Sequence, residues 1–295
     1  MTSAITRRGV LLGAAMLTPL SAHGESRTNR RKARAANRRL AAIEAHLGGR
    51  LGVLAIDTQT GLRIAHRTDE RFPLCSTFKF LAVAAILERV DRGKERLDRW
   101  ITYDRSDLQS YAPITKAHVD EGGMSLADIC AAALDWSDNT AANLLLGLLG
   151  GPQGVTRYAR SIGDAITRLD RTEPTLNAAT PSDARDTTSP TAMVRDMNLL
   201  LLGTRLSESS RAQIESWMAA DQVSAKRLRA GLPADWRIGD KTRSGDHGTA
   251  NTIAIMRPPS RAPILAAVYL TNCPAPDAAR DSAHAEIGRL IAETF

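Results

Sequence analysis

The sequence predicts an α+β fold: an antiparallel sheet flanked by helices, assembled from both ends of the chain, with an all-α domain inserted between them. Three observations carry this reading. Strand-forming runs appear early, at residues 51–56 and 62–65, and return only late, at 237–241, 252–256 and 264–271. Between them, from Thr77 to about Ala219, the pattern is helical, with Ala- and Leu-rich segments at 126–134, 141–149 and 193–202 separated by Gly, Pro and Asp/Ser loops. A crevice between two such bodies is a favoured place for a ligand site.

In chain order, the basic stretch 27–39 is expected to be solvated. Leu40, Ile43 and Leu47 then recur at helical spacing, and Gly48-Gly49 stop that helix. The runs 51–56 and 62–65 flank Asp57-Thr58-Gln59-Thr60-Gly61 and read as a hairpin. The chain closes on an amphipathic helix with Ala283, Ile287, Leu290 and Ile291 on one face. The expected divisions are a signal peptide at 1–24, a basic segment at 25–39, an α/β domain from 40–68 and 221–295, and an all-α domain at 69–220.

A length of 295 residues suffices for one large or two interlocked domains with a full core. Hydrophobic content of 43% and charged content of 24% belong to a soluble globular protein. Residues 1–40 hold nine basic residues against Glu25 alone, a net +8 that exceeds the whole chain's +7 and leaves the remaining 255 residues at −1. The body therefore has no excess of positive charge for a phosphate backbone, which argues against a nucleic-acid partner. Thr6-Arg7-Arg8-Gly9-Val10-Leu11-Leu12 reads as a twin-arginine leader. Its apolar run to Leu20 is too short to span a bilayer, and the small residues around Ala22-His23-Gly24 suit cleavage. The expectation is a periplasmic or secreted protein without a stable membrane anchor. No association signal is present, so a monomer is expected.

Three cysteines, Cys75, Cys130 and Cys273, are too few and too widely spaced for a disulfide framework or a metal site, and free buried thiols are expected. The histidines are scattered and give no metal-ligand pattern. No cofactor and no metal is expected.

Chemistry enters at Cys75-Ser76-Thr77-Phe78-Lys79. Ser76 and Lys79 lie three residues apart at a predicted helix start, which places a hydroxyl and an amine on one face. A serine becomes a nucleophile when a neighbouring base takes its proton, and a buried lysine can have its pKa lowered enough to serve. The run 80–87 that follows is apolar on nearly every side, as in a helix buried all round. Ser137-Asp138-Asn139 precedes another apolar helix, where Asp138 can cap the backbone. Lys241-Thr242-Arg243-Ser244-Gly245 follows a short strand. S-x-x-K, S-D-N and K-T in this order are far more specific than any one of them.

On these motifs the chain, from about residue 38 to its end, resembles the class A serine β-lactamases, relatives of the penicillin-binding DD-peptidases. Arg171-Thr172-Glu173-Pro174-Thr175-Leu176-Asn177 resembles the family's omega loop, here 171–186, whose glutamate and asparagine hold the hydrolytic water. Penicillin-binding proteins lack that glutamate. The resemblance implies a cofactor-free hydrolase acting on a small-molecule β-lactam, a cyclic amide, with a catalytic water. The reaction passes through an acyl-serine intermediate and confers antibiotic resistance.

By the same resemblance Ser76 is the nucleophile, and Lys79 and Glu173 share the general-base role for acylation, with Glu173 serving deacylation. Ser137 relays a proton to the lactam nitrogen beside Lys241, and the backbone N–H groups of Ser76 and Ser244 form the oxyanion hole. Asn139 holds the side-chain amide, Asn177 assists with the water, Thr242 binds the carboxylate and Tyr111 lines the mouth. The resemblance further implies a cis bond before Pro174 and an Arg171–Asp186 pair closing the loop.

Three departures stand out. The motif glycine of K-[ST]-G is Arg243, on the strand face opposite Thr242 and Ser244, where its bulk is expected to displace the strand and loosen the Ser244 donor. Thr249-Ala250-Asn251 replaces a carboxylate-gripping arginine, with Arg227 as the substitute. The family's disulfide would join Cys130 to the position of Val83, and a bridge from Cys75 would need a cysteine near Gly245, so neither forms. A DD-peptidase and a weakened β-lactam-binding or sensor protein with slow deacylation are the alternatives; Glu173 and Asn177 argue against the first.

Overall fold

The computed structural model describes residues 27–295; the leader reading, with Arg7 and Arg8, lies outside the described residues. Helix α1 spans Arg27–Leu47 and leads into the hairpin of β1 (Arg50–Asp57) and β2 (Arg63–His66). Strand β3 (Phe72–Pro73) and a 3₁₀ turn at Cys75–Thr77 deliver the chain to α2 (Phe78–Asp91). The middle of the chain holds β4 (Trp100–Thr102), α3 (Pro113–Ala117), β5 (Gly123–Ser125), α4 (Leu126–Asp135), α5 (Asn139–Leu149) and α6 (Pro152–Ser161). After a long loop come β6 (Thr187–Thr188), α7 (Pro190–Met197), extended by a π-helical turn at Asn198–Leu202, and α8 (Glu208–Ala219). Strands β7 (Arg237–Gly245), β8 (Thr249–Arg257) and β9 (Ile264–Thr271) and helix α9 (Asp277–Thr294) complete it.

The main sheet has the order β2-β1-β9-β8-β7, antiparallel throughout, so the first and last strands of the chain interleave and β7 forms one edge. Alternation divides its side chains between two cores. In β9, Ile264, Ala266, Val268 and Leu270 pack with α1 and α9, whereas Leu265, Ala267 and Tyr269 face the helical body. Helix α2 is the axis of that body: every residue from Phe78 to Glu88 is buried, which explains why its sequence shows no polar face. The predicted fold class is what the structure contains. The late strands run longer than the apolar runs that announced them, because β7 and β8 continue through the polar residues Thr242 to Asn251.

The stretch 27–39 is not merely a solvated tail. It forms the first turns of α1, and Ala36 is buried against the sheet beside Leu40, Ile43 and Leu47, while the arginines cover the outer face. Apolar spacing began the helix at Leu40 because only one small residue in four marks its inner face before that point. Glu44 pins α1 to the hairpin, accepting hydrogen bonds from Leu51 N at 2.8 Å and Arg67 Nε at 2.7 Å and lying 3.0 Å from His66 Nε2. Burial alone would raise its pKa, but Arg67, the Leu51 amide and His66 outweigh that and hold it at about 2.

Two outcomes follow. Ala36→Asp should lower unfolding stability in urea by about 1–3 kcal/mol, since it places a carboxylate in an apolar layer, while Ala35→Asp on the exposed face should change it little. Because the folded Glu44 pKa lies below its unfolded value, its contribution is present above about pH 4.5 and is lost as pH falls toward about 2. Acid titration of stability should therefore flatten across that window in Glu44→Gln.

Candidate active site

The edge strand β7, the Cys75–Thr77 turn, the start of α5 and the loop after α6 converge on one buried cluster. Cys75 has φ +42° and Ser137 φ +58°, both in the left-handed region that side chains disfavour. Such residues cost of order 1–3 kcal/mol each and persist where surrounding structure holds them. Here they turn Ser76 and the S-D-N segment toward each other.

Ser76, Lys79 and Ser137 are fully buried, and Glu173 is nearly so. Ser76 Oγ donates to Glu173 Oε1 at 3.2 Å. The Lys79 ammonium lies 3.1 Å from that same oxygen and donates to Ser137 O and Asn139 Oδ1, both at 2.8 Å, to Asp138 O at 3.3 Å and to Ser137 Oγ at 3.5 Å. The i, i+3 spacing put both heads on one face, as expected, but among the described residues the serine's hydrogen bond goes to Glu173 and the ammonium's to the S-D-N turn. Burial lowers the Lys79 pKa to about 8; Glu173 opposes this, while the Lys241 and Arg243 charges add to it.

Asp138 fixes the S-D-N turn. It caps α5 through Ala141 N at 2.9 Å and accepts from Ile114 N at 3.0 Å, Thr115 N at 2.9 Å and Thr115 Oγ1 at 3.0 Å. Tyr111 stands beside it, its carbonyl accepting from Asn139 N at 3.0 Å. Glu173 is clamped by Asn143, whose Oδ1 accepts from Glu173 N at 3.0 Å and whose Nδ2 donates to Glu173 O at 2.9 Å. Asn143 was missed in the sequence, although it lies one turn beyond Asn139 on the same helix face. The Glu173-Pro174 bond is cis. Asn177 Nδ2 donates to Glu173 Oε2, while Asn177 Oδ1 is buried with no hydrogen-bond partner among the described residues. The loop is closed by Asp186, which accepts from Arg171 Nε at 2.5 Å and from the amides of Asp170 and Arg171 at 2.7 and 2.9 Å.

On β7, Lys241 is buried, which lowers its pKa; its ammonium donates to Thr242 O at 3.2 Å and lies 3.6 Å from Asp221 Oδ2. Thr242 is buried beside it. Arg227 reaches the strand: its Nη2 donates to Ser244 Oγ at 2.6 Å, its Nη1 to Arg243 O at 3.0 Å and Asn251 O at 2.9 Å, and its Nε to Asp281 on α9 at 2.9 Å. Asp221 and Asp281, the acidic partners of these cations, have no local motif and were invisible to spacing arguments.

Arg243 does not displace the strand. β7 pairs with β8 in unbroken register from Arg237↔Arg257 to Gly245↔Thr249. The side chain leaves on the face opposite Ser244 and lays its guanidinium over the Tyr111 ring, 4.5 Å from the centroid. A long flexible stem clears the backbone, so the register survives where packing arguments expected a shift. The three cysteines are free and buried, and burial pushes the Cys75 thiol up to about 12. A Cβ at Gly245 would come within 2.6 Å of Cys75 Sγ, which places the two positions side by side as the family resemblance implied.

Residues 35–295 match the model of the beta-lactamase enzyme family. The chain is 50% identical to Beta-lactamase CTX-M-8 of Citrobacter amalonaticus over 79% of its own length and 80% of that protein. It is 46% identical to Beta-lactamase Toho-1 of Escherichia coli over 92% of each. An ancestral (GNCA) class A β-lactamase structure superposes with a TM-score of 0.87 at 58% identity, over 88% of this chain and all of that one. The motifs, the sheet order and these likenesses agree: the chain belongs to the β-lactamase enzyme family, in its class A.

Proposed function

We infer that the chain opens β-lactam rings by hydrolysis, conferring antibiotic resistance, and that it does so through an acyl-serine intermediate at Ser76. The observation that carries the mechanism is the shared oxygen of Glu173, which meets both the Ser76 hydroxyl and the Lys79 ammonium in a buried site. The Ser76 proton passes to Glu173 as Oγ attacks the lactam carbonyl, and the Lys79 charge on the same oxygen steadies the carboxylate beforehand. When the C–N bond breaks, Ser137 Oγ gives its proton to the lactam nitrogen and is resupplied by the Lys79 ammonium within its reach, which in turn takes from Glu173 the proton that Ser76 gave up, while Lys241 lowers the cost of charge at the nitrogen. The backbone N–H groups of Ser76 and Ser244 receive the carbonyl oxygen. A water held by the restored Glu173 carboxylate and by Asn177 Oδ1 then gives its proton to Glu173 as it attacks the ester, and that proton returns to Ser76 Oγ as the ester C–O bond breaks, freeing the enzyme.

For binding, Thr242, Ser244 and Arg227 grip the ring carboxylate, with Arg227 fixed by Asp281 so that its second nitrogen stays on Ser244 Oγ. Asn139, anchored by Lys79, holds the side-chain amide, and Tyr111 borders the mouth. The alternatives with slow deacylation are disfavoured by the Glu173–Asn177 pair and by relatives that are named β-lactamases over most of their length. Export to the periplasm or medium is supported by the leader alone. Among the described residues, no helix is long and apolar enough to cross a membrane.

Intact-protein mass spectrometry with benzylpenicillin tests the assignment. The parent should show at most a transient adduct, Glu173→Ala should accumulate a one-drug adduct on Ser76, and Ser76→Ala should show none. A persistent adduct on the parent would assign the chain to the slow-deacylating alternatives. Separately, Asn143→Ala should slow deacylation by roughly tenfold or more, since a small misplacement of a catalytic group is costly in rate, with a smaller effect on acylation; single-turnover kinetics separate the two steps.

A further inference from the structure

Four cations surround the site, and three have a carboxylate close by. Lys79 lies 3.1 Å from Glu173, Lys241 3.6 Å from Asp221 and Arg227 2.9 Å from Asp281. The fourth, Arg243, makes no ion pair and its guanidinium donates no hydrogen bond among the described residues; its contact is the Tyr111 ring. The side chain therefore runs from the edge strand on one side of the cleft to the S-D-N side on the other, over a site whose lysines feel its charge. Held over the Tyr111 ring and donating to no acceptor among the described residues, the guanidinium keeps its N–H groups open to an oxyanion. In the cleft this is a positive charge in excess of what the protein neutralises.

Resting on the hydrolase reading above, we propose that Arg243 is a specificity-determining residue that selects β-lactams carrying a second carboxylate, on the acyl side chain, in addition to the ring carboxylate held by Thr242, Ser244 and Arg227. A singly charged substrate must displace or thread past the guanidinium and receives nothing for it. A doubly charged one meets it with a charge-assisted, two-pronged hydrogen bond. Exchange of Arg243 for Lys would keep the charge and lose the fork.

The test compares benzylpenicillin with its α-carboxyl derivative, carbenicillin, on the parent, Arg243→Gly and Arg243→Lys. The quantity read is the ratio of kcat/KM for the two drugs. The ratio in favour of carbenicillin should fall by about tenfold or more in Arg243→Gly and by less in Arg243→Lys, as expected for a lost charge-assisted bond. In the parent it should also decline as ionic strength rises, and in Arg243→Gly it should be nearly flat. Hydrolysis of both drugs with a ratio unchanged between parent and Arg243→Gly overturns the inference alone. An equal rise for both drugs in Arg243→Gly does so too, by making Arg243 a steric bar. A parent that hydrolyses neither drug removes the function and the inference together.

Discussion

A lysine ammonium without access to water is the constraint around which the site is arranged. Lys79 sits in the first turn of α2, within a stretch buried from Phe78 to Glu88, so its charge has to be met entirely by protein. The S-D-N turn supplies carbonyl and amide oxygens and the loop after α6 supplies Glu173. Both segments are bent to reach it: Ser137 adopts a left-handed backbone and the loop carries a cis peptide bond. The proposed catalytic arrangement is thus also the electrostatic solution to burying an amine.

That solution is secured one layer out. Asp138 ties the S-D-N turn to α3, Asn143 holds the Glu173 backbone from α5, and Asp186 gathers the two ends of the loop. Each of these uses polar side chains to satisfy backbone groups that no regular element could serve. On the opposite wall, pairing of β7 with β8 carries Lys241, Thr242 and Ser244 into place together, and Arg227 braces the end of the strand through the Arg243 and Asn251 carbonyls. Arg243 is the exception on that wall, a charge added to a finished strand with no carboxylate partner among the described residues.

Much of this was legible beforehand. The interleaved sheet followed from strand patterns confined to the two ends of the chain, and the candidate site residues followed from ordered motifs whose spacing reflects helix and strand geometry. What stayed hidden was whatever depends on side-chain reach across long sequence separations. The Asp221 and Asp281 partners are of this kind, as is the choice of Ser76 to bond Glu173 rather than Lys79. Helix α1 was under-read for a different reason: Ala36 is too small to stand out among arginines, yet it is a core residue. Arg243 was judged by volume at its Cβ, whereas its outcome was decided by the length of the side chain and an aromatic ring 4.5 Å away.

The site depends on Lys79 being a buried amine whose proton affinity is set by its surroundings. Titration of the Lys79 side chain by NMR, on protein with labelled lysines and assigned by comparison with Lys79→Arg, measures this directly. A midpoint near 8 is expected, well below the ordinary 10.5, with a further fall in Glu173→Gln, because Glu173 is the group that holds the proton on. A midpoint at the ordinary lysine value, or one that does not move when Glu173 is neutralised, would contradict it.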